Sequence, residues 1–171
     1  MHRASAFLAL LVLAIPLGAS AALPSVGQTI LSGCRQGQCA WLRVLRLGTP
    51  RATRQGVLRS IGVRRGISVH PDGRIPARAR DARIQWDAGR EVDYAFCSVR
   101  RPGFAFGDDA GGLVIHYLDL FDLGGYQYSS AGLYMRICHG MEGIPADARL
   151  RRLGYRPGTA ASRLRRPRRT R

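Results

Sequence analysis

Two cysteines, Cys97 and Cys138, bracket residues 92–140, VDYAFCSVRRPGFAFGDDAGGLVIHYLDLFDLGGYQYSSAGLYMRICHG. A bridge between them would constrain the topology of everything in between. The stretch holds most of the aromatic residues, and its apolar runs are separated by Gly- and Asp-rich breaks. It reads as a small antiparallel sheet whose outer strands are tied by a disulfide. The expected order is a strand over 92–99, a break at Pro102-Gly103, Phe104 to Phe106, and a turn over 107–112. A strand over Leu113 to Leu120, a Gly124-Gly125 break and a closing strand over Tyr126 to Cys138 follow.

Disulfides need an oxidising compartment, and residues 1–22 supply the route to one. His2 and Arg3 are followed by an apolar run from Ala6 to Leu17 and by the small residues Ala19, Ser20 and Ala21, the three parts of a secretory signal. The run is too short to span a bilayer as a helix. Cleavage is expected near Ala21 or Ala22, placing the mature chain in the periplasm or beyond with no transmembrane segment. Leu31-Ser32-Gly33-Cys34 also matches a lipoprotein box, in which Cys34 would be acylated. Pro24, Ser25, Gly27, Gln28 and Thr29 separate it from the apolar run, however, and signal cleavage is preferred.

Four cysteines in an exported chain point to two disulfides, with three possible pairings. Arg-Gln-Gly-Gln between Cys34 and Cys39 suits a locally closed turn, and Cys97 and Cys138 each lie in a strand-like run. The favoured pairing is therefore Cys34–Cys39 with Cys97–Cys138. Tetrahedral zinc is the rival, but the spacings lack two close ligand pairs. No metal and no cofactor are expected.

The rest of the mature chain is read as follows. Cys39 to Leu47 is a strand, and residues 51–69 are two short strands, because Gly56, Gly62 and Gly66 disfavour a long helix. His70-Pro71-Asp72-Gly73 is a turn. Arg74 to Arg83 is an exposed connection, and Ile84 to Asp87 a short strand. Pro145 to Gly154 has the proline, early acid, late arginines and final glycine of a short helix. The fold expected is mainly β, a small antiparallel sheet or sandwich with a short C-terminal helix, stapled by disulfides; α+β is the runner-up. One domain is expected over 23–155, with a disordered Arg-rich tail over 156–171.

Charge is concentrated in that tail. The chain has 27 basic residues, all arginine, and a net charge of +16. Ten arginines and no acid lie between Arg149 and Arg171. Lysine and asparagine are absent, as GC-rich coding would produce; that excludes Schiff-base lysines, Walker-type phosphate loops and N-glycosylation. Arg163, Arg165, Arg166, Arg168, Arg169 and Arg171 are the candidate anion-binding residues, suited to phosphate-bearing polymers. For an exported chain the matching partners are lipopolysaccharide phosphates or acidic lipids, not nucleic acid.

No catalytic signature stands out. His70, His116 and His139 lack a framed nucleophile among Ser98, Ser129 and Ser130, and all four cysteines can pair. Asp108-Asp109 reads as a hairpin turn rather than a calcium loop. Asp119 with Asp122 remains the weak candidate pair for acid–base work. Tyr117, Tyr126, Tyr128, Tyr134, Phe104, Phe106 and Phe121 could line a ligand surface, although core and cross-strand packing is the plainer role.

Phe96-Cys97-Ser98, Arg101-Pro102, Leu118-Asp119, Ser130, Tyr134 and Cys138-His139-Gly140 together resemble uncharacterised exported proteins of Gram-negative bacteria, over roughly residues 34–155. The resemblance implies export and carries no activity, so no functional residue is taken from it. The expected function is an exported non-catalytic binding or envelope-associated protein. The alternative is a small periplasmic hydrolase using His116 or His139 with a nearby Asp.

Overall fold

The computed structural model describes residues 23–76, 78–108 and 111–158. The signal segment, Asp109 and the arginines of 163–171 lie outside the described residues. The described chain is dominated by one antiparallel sheet built from β1 (Thr29–Arg35), β2 (Gln38–Leu47), β3 (Arg51–Thr53), β4 (Gly56–Val69), β5 (Gln85–Trp86), β6 (Glu91–Cys97), β7 (Gly103–Gly107) and β8 (Leu113–Tyr117). The strand order is β1-β2-β4-β6-β7-β8, with β3 and β5 both paired to β4. Two helices follow, α1 (Tyr128–His139) and α2 (Asp147–Arg152).

β4 is the spine. The sequence suggests two short strands over 51–69, yet residues 56–69 form one continuous strand of 14 residues, hydrogen-bonded on both edges. Its glycines are consistent with close packing rather than breaks. At Gly66 an added Cβ would sit 2.7 Å from the Trp86 ring and 2.8 Å from the Gln85 carbonyl oxygen, so only a bare backbone lets Trp86 cover this point. At Gly62 the crowding comes from Arg46, beside the irregularity between Val44 and Arg46 in β2. The turn at His70 closes as expected, Gly73 N–H donating to His70 O at 3.0 Å.

The second departure is larger. Tyr126 to Cys138, read as a closing strand, is the 3-10 turn Gly125–Gln127 followed by α1. Ser130, Ala131, Leu133, Tyr134, Met135 and Ile137 are buried along α1, the i, i+3, i+4 recurrence of a helix laid on a sheet. Gly140 terminates it at φ 66°, and its N–H reaches Arg136 O and Met135 O, a left-handed C-terminal cap. The core forms where α1 meets one sheet face. Leu42, Val44, Ile61, Val63, Ala95 and Phe104 from the strands meet Ala131, Tyr134, Met135 and Ile137 from the helix. Leu118, Leu120, Leu150 and Tyr155 close it from the side.

Both disulfides are formed, Cys34–Cys39 and Cys97–Cys138. The second does not tie two outer strands. It ties the end of β6, an interior strand, to the last turn of α1. No helix among the described residues is long and apolar enough to cross a membrane.

Candidate functional site: a groove between the first hairpin and α1

β1 and β2 are joined by Gln36 and Gly37, both at positive φ (51° and 73°), the two-residue turn that matches strand twist. The Cys34–Cys39 bridge lies one residue pair before this turn, with Arg35 opposite Gln38. His70 N–H donates to Gly37 O, fastening the hairpin tip to the end of β4. The start of α1 crosses β1 at Gly33, where an added Cβ would lie 3.0 Å from Ser129 Oγ. Helix and hairpin then part to leave a groove of about 1110 Å³.

Its walls carry Gln28 from just before β1, Arg35 and Gln38 from the hairpin, Tyr128, Gly132 and Arg136 from α1, Arg78 from the connection after β4, and Glu142 beyond α1. Three arginines thus face one carboxylate. Arg136 Nη1 binds Glu142 Oε1 at 2.9 Å, a pair at the groove edge whose acid is 86% exposed. Arg136 Nε is buried without a hydrogen-bond partner among the described residues. Three arginines against one carboxylate give the groove a positive lining, which suits an anionic guest such as a carboxylate or phosphate. Nothing lies within 4 Å of a Cβ added at Gly132, so the helix side of the groove is open.

The histidines are distributed among separate polar clusters. His70 Nε2 lies 2.7 Å from Ser68 Oγ, which also accepts the Trp41 indole N–H at 2.7 Å. His116 Nδ1 lies 2.7 Å from Ser130 Oγ, and its ring stands edge-on to Phe106 and Tyr126. His139 Nε2 meets Tyr155 Oη at 2.6 Å. Burial holds His116 and His139 below the usual imidazole range, favouring neutral rings. Tyr155 is pushed up by burial and by Tyr134 beside it; Tyr134 is pushed up by burial, against the pull of its bonds to Tyr155 and the Ser98 backbone.

Among the described residues, neither His116 nor His139 has a hydrogen bond to Asp119 or Asp122. Asp119 instead accepts from Phe121 N–H at 3.1 Å and Gly158 N–H at 2.7 Å, holding the chain that leaves α2. The acidic residue with the most perturbed surroundings is Asp93, 1% exposed in β6. Arg65 Nη2 binds its Oδ1 at 2.7 Å, Arg65 Nε binds Glu91 at 2.7 Å, and Oδ2 has no hydrogen-bond partner among the described residues. Burial raises its pKa to about 6 despite Arg65, with Glu91 adding to the rise.

Of the aromatic residues singled out in the sequence, Tyr134 and Phe104 are core, and Phe106 and Phe121 pack against it. Tyr117, Tyr126 and Tyr128 are exposed, and of these Tyr128 alone lines the groove. Sequence reading missed Arg35, Arg78 and Arg136, which lie far apart in the chain and meet only through the sheet–helix packing. Among the described residues no three His, Cys, Asp or Glu side chains gather as metal ligands. Comparison with family models, with curated proteins and with solved structures finds no match.

Proposed function

We propose that this chain is an exported, non-catalytic binding protein for anionic components of the bacterial envelope, taken up in the groove between the first hairpin and α1. The observation that carries the reading is the groove itself, with Arg35, Arg78 and Arg136 set against Glu142 alone. Two disulfides and the signal-like start suit an oxidising compartment. Phosphate groups on lipopolysaccharide fit the guanidinium geometry, each accepting paired N–H bonds. The arginines at 163, 165, 166, 168, 169 and 171 would add a less specific electrostatic attraction.

The test is binding of the exported chain to lipopolysaccharide-bearing vesicles, compared with Arg35→Ala/Arg78→Ala and with a chain ending at Ala161. The proposal expects salt-sensitive binding that weakens several-fold in the groove variant, and a smaller loss on removing the tail. Unchanged binding in the groove variant would move the site elsewhere. Binding that ignores salt would remove the electrostatic basis.

The small periplasmic hydrolase keeps one observation in its favour, the 2.7 Å contact between His116 Nδ1 and Ser130 Oγ. Ser130 is only 5% exposed, and the described hydrogen bonds give His116 no carboxylate to orient it. Turnover of ester substrates that disappears in Ser130→Ala would favour that reading.

A further inference from the structure

The sheet has two faces, and α1 covers only one of them, the face that carries Ile61, Ala95, Phe104 and the His116 contact to Ser130. Alternation along each strand turns the neighbours of these residues the other way. Register places Leu58, Phe96, Gly103 and Tyr117 in one row across β4, β6, β7 and β8, and Ser60, Tyr94, Ala105 and Ile115 in the next. A Cβ added at Gly103 would meet Phe96 Cβ at 3.9 Å and Tyr117 Cδ1 at 4.0 Å, so both rings flank a bare backbone on one surface. This apolar patch is open, with Leu113 at 53%, Ile115 at 51% and Tyr117 at 46% exposure.

Beside the patch the same face turns basic. Arg51 stands opposite Leu58, Arg46 opposite Gly62, and Arg43 opposite Arg64. Arg43, Arg46 and Arg51 are exposed. Among the described residues, none of the three forms an ion pair. The eight strands contain two acids, Glu91 and Asp93, and both lie on the α1 face, opposite Val63 and Ile61. The strands of the open face therefore present arginine beside leucine, isoleucine and aromatic side chains, and no carboxylate.

We infer that this face docks on the surface of an acidic lipid bilayer, with Leu113, Ile115 and Tyr117 entering the headgroup boundary and Arg43, Arg46 and Arg51 bound to lipid phosphates at their side. Each part of the face matches a part of that surface. Tyrosine has an apolar ring and a polar tip, which suit the boundary between headgroup and acyl chain. Arginine lays its apolar stem along such a surface and keeps its guanidinium among the phosphates. Charge selects this occupant over a second copy. A net charge of +16 draws the chain to an anionic surface and drives two copies apart. The inference does not depend on the groove.

Vesicles of phosphatidylethanolamine and phosphatidylglycerol, with phosphatidylcholine vesicles as the neutral control, test it on the full exported chain. Cosedimentation should show binding to the acidic vesicles alone, weakened by salt. Arg46→Gln/Arg51→Gln should lower the affinity by roughly tenfold or more. Ile115→Ser/Tyr117→Ser should lower it several-fold, and both variants should keep the parent circular dichroism spectrum. Ile115→Trp and Tyr128→Trp place a reporter on each side of the molecule, since Tyr128 is exposed on α1. Brominated phosphatidylglycerol should quench the added emission of Ile115→Trp and leave that of Tyr128→Trp unaltered. Binding with Ile115→Trp unquenched, or with both reporters quenched alike, would overturn the inference, because the basic tail or another face would then hold the lipid. Equal binding to neutral vesicles, no binding to either kind, or full affinity in both double variants would overturn it as well. So would a dimer in solution that Ile115→Ser/Tyr117→Ser dissolves, which would make the occupant a second copy.

Discussion

The hydroxyl of Tyr134 lies 2.7 Å from that of Tyr155, joining the middle of α1 to the chain just after α2. Ser98 N–H meets the Tyr134 oxygen at 3.2 Å on one side, and His139 Nε2 meets the Tyr155 oxygen at 2.6 Å on the other. Four groups from three parts of the chain thus share one buried polar line. Its roles are mutual satisfaction and positioning, since the phenols are pushed well away from titration at neutral pH.

Replacing Tyr155 with Phe keeps the ring packing and removes one hydroxyl from that line. Tyr134 and His139 lose their shared partner inside the core, and a loss of about 1–3 kcal/mol is expected. Urea unfolding with both disulfides intact measures it. Tyr155→Ala adds a cavity and should cost more, about 3–5 kcal/mol by analogy with large aromatic truncations.

The two bridges should differ in worth. The chain-entropy account gives about 4 kcal/mol for the loop closed by Cys97–Cys138 and about 2 kcal/mol for the one closed by Cys34–Cys39. Paired Cys→Ala variants compared by denaturant unfolding should keep that order. Equal losses would mean that the hairpin bridge does more than close its own loop.

Asp93 predicts a stability change with a definite sign. Its folded pKa of about 6 lies above the ordinary 3.8, so the native state holds this proton more tightly than the unfolded chain. The resulting stabilisation is complete below about pH 4 and is lost as pH rises through 6, by up to about 3 kcal/mol. Asp93→Asn should remove that component. The difference between the two proteins' unfolding free energies, followed from pH 4 to 7, therefore changes most between 4 and 6. A difference independent of pH would mean that Arg65 neutralises the burial penalty.

Gly66→Ala would force a methyl between the β4 backbone, Trp86 and Gln85 O. Overpacking of this kind costs about 1–3 kcal/mol. Near-ultraviolet circular dichroism should report a displaced Trp86.

Much of this architecture was legible in the sequence. The turns at Gln36-Gly37 and Pro71-Asp72, the apolar run of β2 and the proline and glycine that bound α2 are local signals that tertiary packing left in place. The aromatic and β-branched content of Tyr126–Cys138 suggested a strand, while the spacing of Ser130, Tyr134, Ile137 and Cys138 and the glycine at 140 carried the helical period. In this segment the helical period, not the aromatic content, decides the structure. The groove was illegible for a different reason: Arg35, Arg78 and Arg136 converge through long-range packing, which no local pattern records.

The central claim is that the groove is where this protein binds, and amide hydrogen exchange with and without lipopolysaccharide addresses it directly. The account predicts slowed exchange in β1, Thr29–Arg35, and in the part of α1 from Tyr128 to Arg136, both diminished in Arg35→Ala/Arg78→Ala. Protection confined to other strands, or none at saturating ligand, would contradict it.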